Sequence, residues 1–249
     1  MDKLARDFIK YCGKNNLAKV NKCLSLGVDV NTVNESEDYN AGQTALMIAC
    51  KNGCSSIVSR LVQVPGLDIN YSETDCGYTA AHLACYNGHL DGSTECVVIL
   101  AETGRVDWNK RDSEGKTPLH MGLDDNIDDI INIISKQPNI DYNVRTKDGK
   151  TLAQIAVDGP DAYVETFASL ETFDCWNVPD KDGNTPIMWA LKNRYGVETV
   201  KILLRCPRVD LSLRDKEGWS LVFRAIQFVY FGEKMVKTLQ SSHSNNLCF

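Results

Sequence analysis

A glycine followed two residues later by Thr or Ser recurs six times along this chain of 249 residues. The copies read Gly42-Gln43-Thr44-Ala45-Leu46, Gly77-Tyr78-Thr79-Ala80-Ala81-His82, Gly115-Lys116-Thr117-Pro118-Leu119-His120, Gly149-Lys150-Thr151-Leu152-Ala153, Gly183-Asn184-Thr185-Pro186-Ile187 and Gly218-Trp219-Ser220-Leu221-Val222. Their glycines lie 35, 38, 34, 34 and 35 residues apart. A Thr or Ser hydroxyl accepts a hydrogen bond from an orphan amide of the first helical turn. Pro suits the first helical position, where its missing N–H costs nothing. Each copy is therefore a tight turn delivered into a helix. A near-fixed period means that each unit buries its apolar side only against its neighbours.

Between these openings the apolar residues fall at helical spacing. Before the first copy, Leu4, Ala5, Phe8, Ile9 and Cys12 make one helical stripe, and Leu17, Val20, Cys23 and Leu24 a second. Asp2, Lys3, Arg6, Asp7 and Lys10 supply the polar face that an end unit needs. Outer helices are expected around Ile57–Val62, Cys96–Leu100, Ile127–Ile134 and Val200–Leu204. The third unit is irregular: Leu90–Glu95 adds about four residues between its two helices. Such an insertion reads as a tolerated loop, or as a partner contact. Ser220 opens a helix through Phe228, and Glu233–Leu239 makes the last one.

The period and the Thr-Pro-Leu-His wording of residues 117–120 resemble the ankyrin repeat, whose period is about 33 residues. The resemblance covers nearly the whole chain as seven units, near 1–34, 35–72, 73–110, 111–144, 145–178, 179–213 and 214–240, the first and last being atypical caps. It implies one domain over 1–240 and a polar tail at 241–249. The fold it implies is all-α, a solenoid of stacked helix-turn-helix units with β-hairpin finger loops. It also implies a non-catalytic module that binds a protein along a concave face: an adaptor, scaffold or inhibitor. An assembly chaperone or masking inhibitor of a larger complex is the alternative, as is the ankyrin part of a larger enzyme or receptor. The initial methionine and the cap-like end units favour a self-contained protein.

Composition narrows the classes. A net charge of −6, with both signs interspersed, disfavours nucleic acid and anionic membranes as partners. There is no run of 18 apolar residues and no apolar leader at the start, so no membrane insertion is expected. The ten cysteines form no CxxC pair, and Cys50 and Cys85 share a repeat position suited to a small buried residue. Reduced thiols suit the cytoplasm or nucleus. His82, Cys85 and His89 have tolerable metal-ligand spacing but no evident fourth ligand. The expectation is no metal, no cofactor, no catalytic residue and a chain that is monomeric on its own.

His82 and His120 occupy the Leu-His slot, which the resemblance makes structural. It also implies that asparagines at the hairpin turn, here Asn31, Asn70, Asn109, Asn143 and Asn177, can be hydroxylated. Trp108, Tyr142 and Trp176 recur every 34 residues. Since Val30, Ile69 and Leu211 hold the same slot, these aromatics read as packing between hairpins; the alternative is an aromatic ladder for a peptide. Recognition in the family falls on variable positions of fingers and inner helices, slots expected to be free of packing duty. Three columns result: Tyr78, Lys116, Lys150 and Trp219 after the turn glycine; Arg111, Arg145 and Arg214 before it; Tyr86 and Lys192 at inner-helix ends. Tyr, Trp and Arg are common interface anchors. The basic lean of the middle fingers suits another protein with an acidic or mixed-charge segment.

Overall fold

The computed structural model describes residues 2–36, 39–87, 92–124, 127–192 and 196–227. It divides into two compact units, residues 1–140 and 141–249. The expected last helix at 233–239 and the tail at 241–249 lie outside the described residues.

The first unit holds four helical pairs: α1 (Lys3–Gly13) with α2 (Leu17–Ser25), α3 (Ala45–Lys51) with α4 (Ser55–Leu61), α5 (Ala80–Tyr86) with α6 (Ser93–Glu102), and α7 (Pro118–Asp124) with α8 (Asp128–Ile134). α1, α3, α5 and α7 pack in sequence as an inner row, and α2, α4, α6 and α8 as an outer row. Thr44 Oγ1 accepts from Met47 N, and Thr79 closes a capping box with His82. Phe8, Cys12, Ile57, Val58, Leu61, Cys96, Val97, Leu100, Ile130 and Ile134 are sealed from solvent between the rows. Asp2 caps α1 by accepting from Ala5 N at 2.7 Å, and the exposed Lys3, Arg6 and Lys10 keep that end polar.

The second unit has α9 (Leu152–Asp158) with α10 (Asp161–Ser169), a short 3-10 turn at Cys175–Asn177, α11 (Pro186–Lys192) with α12 (Val197–Arg205), and α13 (Leu221–Gln227). Here α11 packs against both α9 and α13, and α10 against α12. Tyr142, Phe167, Phe173 and Trp176 form one aromatic core, with ring centroids 4.6 to 6.3 Å apart.

Two features differ from the sequence reading. Ser93, Thr94 and Glu95, expected in an inserted loop, are the first turn of α6. Gly92 lies so close to the carbonyl of Gly53 in the preceding pair that a Cβ there would collide with it, and its φ is +86°. Part of the insertion thus packs on its neighbour, while residues 90 and 91 lie outside the described residues. The expected β-hairpins are reduced, among the described residues, to isolated antiparallel bridges such as Val33 with Thr44 and Arg145 with Thr151.

The hairpin asparagines join successive repeats. Asn31 donates from Nδ2 to Gly66 O at 2.8 Å and accepts on Oδ1 from Asp68 N at 2.8 Å. Asn70 does the same with Arg105 O and Asp107 N, and Asn177 with Arg208 O and Asp210 N. One short amide thereby satisfies both a carbonyl and an N–H of the next turn. We expect Asn70→Ala, which removes two such bonds, to destabilise the chain by about 1–3 kcal/mol in urea unfolding, while an exposed Glu102→Ala leaves the midpoint nearly unchanged.

Candidate protein-binding surface

The fingers are rigid because their side chains hold their own backbone. Asp112 Oδ1 accepts from Glu114 N and Lys116 N at 2.8 Å each. Asp180 and Asp215 repeat this at Asp182 and Asn184 and at Glu217 and Trp219. In the finger before Tyr78 the buried Glu73 does the same work, accepting from Asp75, Cys76 and Tyr78 amides. The arginines of the column before the glycine are also engaged. Arg111 Nε donates to Gly115 O at 3.3 Å, Arg145 Nη1 to Gly149 O at 3.0 Å and Arg214 Nη1 to Gly218 O at 2.9 Å. Arg145 Nη2 reaches the following finger at Pro179 O, 2.7 Å away. Slots expected to be free of packing duty thus carry hydrogen bonds: a five-donor guanidinium next to a tight turn finds the turn's last carbonyl.

The two lysines that follow the glycine are likewise paired. Lys116 Nζ meets Asp124 Oδ2 at 2.5 Å and Lys150 Nζ meets Asp158 Oδ2 at 3.1 Å. Both pairs run from a finger to the end of its inner helix, eight residues on, so the basic lean of these fingers is partly cancelled in place. The pairs are about a third exposed and contribute little to stability.

What remains open is aromatic. In the first unit Tyr86, at the end of α5, is 52% exposed, and Tyr78 is half-buried with its ring 6.0 Å from that of His82. Burial pushes the Tyr78 phenol up, aided by Cys76, Asp112 and Tyr86 and opposed by Lys116. Tyr39, absent from the sequence reading, is 78% exposed, with Lys51 Nζ 4.5 Å over its ring. In the second unit Trp219 stacks on Phe223 at 3.7 Å, and Lys192 lies exposed at the end of α11 over a further ring, Trp189. Trp189 was also missed. The signal for it was a Trp in a slot that other repeats fill with Ile48, Leu83, Met121 and Ile155.

The recurring aromatics of the hairpin slot are buried. Trp108, Tyr142 and Trp176 are 6%, 4% and 1% exposed, so they pack between hairpins and present no ladder. Cys85 is buried in α5, and His89 lies outside the described residues. No three metal-ligating groups gather among the described residues. A hydrogen bond with Cys96, together with burial, pushes the Cys50 thiol up, away from the thiolate that reacts or binds metal. No helix of the described residues is long and apolar enough to cross a membrane.

His82 and His120 serve their helix starts. His82 Nδ1 lies 2.9 Å from Thr79 Oγ1, and its Nε2 reaches Lys116 O, 34 residues on, at 3.1 Å. Burial lowers its pKa. His120 Nδ1 lies 2.8 Å from Thr117 Oγ1, while its buried Nε2 has no partner among the described residues. Burial first, then Lys116, Arg111 and His82, push its pKa down to about 3. Gln154 fills the same slot in the second unit, accepting from Thr151 N and donating to Asn184 O.

Three comparisons with known proteins bear on this geometry. A model of three ankyrin repeats matches residues 9–92 and 72–146, and a single ankyrin-repeat model matches residues 182–216. The chain is 35% identical over 113 residues to the SMC5-SMC6 complex localization factor protein 1 of Bos taurus, and 30% over 89 residues to the BTB/POZ domain-containing protein 1 of Schizosaccharomyces pombe. It is 28% identical over 101 residues to the Inhibitor of Bruton tyrosine kinase of Xenopus laevis. These stretches make up 45%, 36% and 41% of this chain, which spans only 9%, 6% and 7% of the relatives' own lengths. The crystal structure of the ankyrin repeat domain of Bcl-3, a member of the IkappaB protein family, aligns with a TM-score of 0.78. It covers 94% of this chain and 97% of that domain at 21% identity, a likeness of fold alone.

The neutral state of buried His120 has a pH consequence. Unfolded, the ring takes a proton near pH 6.5; folded, it resists until about pH 3. Its contribution to stability is fully present above about pH 6.5 and is lost as the pH falls towards 3. We expect His120→Gln, which copies the Gln154 slot, to shrink the loss of stability between about pH 6.5 and pH 4 by at least about 1 kcal/mol, measured by urea unfolding across pH.

Proposed function

The chain belongs to the ankyrin-repeat family, and on that premise we propose that it is a non-catalytic protein-interaction module, an adaptor, scaffold or inhibitor. The observation that carries this is the open aromatic surface of the first unit: exposed Tyr86 beside half-buried Tyr78 and the finger residues Arg111 and Lys116, set on turns that their own hydrogen bonds hold still. A pre-organised surface loses little freedom on binding, so its contacts convert efficiently into affinity. Tyr contributes a large rigid area with a polar tip, which suits it to anchoring a partner. Mechanism is occlusion or scaffolding: the module covers or positions a partner and changes no covalent bond. The partner is another protein, and the charged residues of the fingers suit a segment of acidic or mixed charge.

Tyr86→Ala and Arg111→Ala test this. Tyr86 is exposed at a helix end, so its variant should keep the parent's thermal midpoint, whereas Arg111→Ala also removes the bond to Gly115 O and is compared at its own midpoint. Affinity for a protein captured by the intact chain should fall by about 2 kcal/mol, or roughly thirtyfold, for Tyr86→Ala in a titration with the purified partner. An unchanged set of partners with unchanged folding removes this surface from the reading.

A further inference from the structure

Six residues after each turn glycine the chain places Ile48, Leu83, Met121, Ile155, Trp189 and Arg224. In the first unit this slot is closed to solvent, with Ile48, Leu83 and Met121 at 2%, 3% and 5% exposure. In α11 the slot is filled by Trp189, which is only half-buried. Its Nε1 donates to Asp158 Oδ1 at the end of α9, 2.6 Å away. The other oxygen of Asp158 takes Lys150 Nζ at 3.1 Å. One carboxylate therefore locks the indole and fixes a finger lysine beside it. Two ammonium groups sit over the ring, Lys150 Nζ at 5.4 Å and Lys192 Nζ at 5.8 Å from its centroid.

The two cations differ in what answers them. Lys150 is neutralised by Asp158. Lys192 is exposed at the end of α11 and has no carboxylate within salt-bridge distance among the described residues. The cluster is thus an oriented apolar plate carrying one uncompensated positive charge.

We propose that Trp189 and Lys192, braced by Asp158 and Lys150, form a preformed receptor for an acidic peptide segment of the partner protein. A carboxylate pairs with Lys192 Nζ while an apolar side chain next to it in the peptide lies on the open part of the indole. The proposal rests on the protein-binding reading and specifies which part of the second unit meets the acid. One uncompensated lysine beside a fixed aspartate, in a chain of net charge −6, gives no field for a polyphosphate backbone. It does match a carboxylate with an apolar neighbour. The indole is already held by its hydrogen bond, so ordering it on binding costs little.

The test uses the full chain and a fluorescent peptide in which glutamates flank a central phenylalanine, with analogues carrying Gln or Lys in place of Glu. Expected results are binding of the Glu peptide that weakens with salt, little binding of the Gln analogue, and a loss of roughly tenfold or more in Lys192→Glu. Lys192→Glu should instead gain affinity for the Lys analogue. Because Lys192 is exposed, this variant should melt as the parent does, and Trp189→Phe serves as the milder probe of the plate. Equal binding of the Glu peptide by parent and Lys192→Glu overturns the site, as does no binding at low salt. Neither failure touches the Tyr86 experiment, which reads a different unit and decides the general function separately.

Discussion

Within each unit, neighbouring helical pairs pack on one another and share hydrogen bonds across successive turns. In the first unit α1 packs on α3, α3 on α5 and α5 on α7, and hairpin asparagines lend side-chain atoms to the following turn. The turn asparagines carry this on one side of the repeat, bonding backbone roughly one repeat away through both amide atoms. On the other side His82 and Gln154 reach the fingers of the following repeats at Lys116 O and Asn184 O. An unpaired buried amide or carbonyl costs on the order of 1–3 kcal/mol. That penalty applies to the buried His82 and Gln154 bonds, while the more exposed turn asparagines add smaller increments.

The same bonds determine where recognition can lie. A finger whose Asp accepts two of its own amides and whose Arg caps its last carbonyl has few polar groups left to offer. Arg111, Arg145 and Arg214 contribute rigidity as well as charge, and Lys116 and Lys150 are answered by Asp124 and Asp158. The exposed side chains of each unit are consequently more aromatic and less basic than a count of charges implies: Tyr39 and Tyr86 in the first, Trp219 and half-buried Trp189 in the second.

The repeat scaffold was legible because its signals are local. Thr44, Thr79, Thr151 and Ser220, each two residues past a left-handed glycine, cap their helices, while the buried Thr185 hydroxyl makes no hydrogen bond among the described residues; six copies at near-constant spacing still leave little freedom in the fold. Most core residues of α1 and of the outer helices followed from helical spacing, with Leu17 of α2 exposed instead, and the burial of Cys50 and Cys85 followed from their shared slot. The site was less legible. Trp108, Tyr142 and Trp176 share a 34-residue spacing with the exposed columns, and spacing alone does not separate a ladder from a core. Their burial depends on Phe167 and Phe173 in the second unit and on the hairpin neighbours in the first. Trp189 stands in a slot that the first unit fills with the buried apolar residues Ile48, Leu83 and Met121, so position alone does not mark it as half-exposed.

By itself the amino-acid order determined the repeat, its all-α pairs, the caps on the helices and the neighbour dependence, since these follow from backbone hydrogen bonding within a few residues and from one periodic stripe. Tertiary structure alone decided which charges are already spent. A lysine and an aspartate eight residues apart become a pair only when a finger folds back over its own helix. An aspartate ending one helix orients a tryptophan 31 residues later only because two repeats stack. Coulombic and hydrogen-bond energies depend on distances through space, and those distances appear only once the repeats are packed.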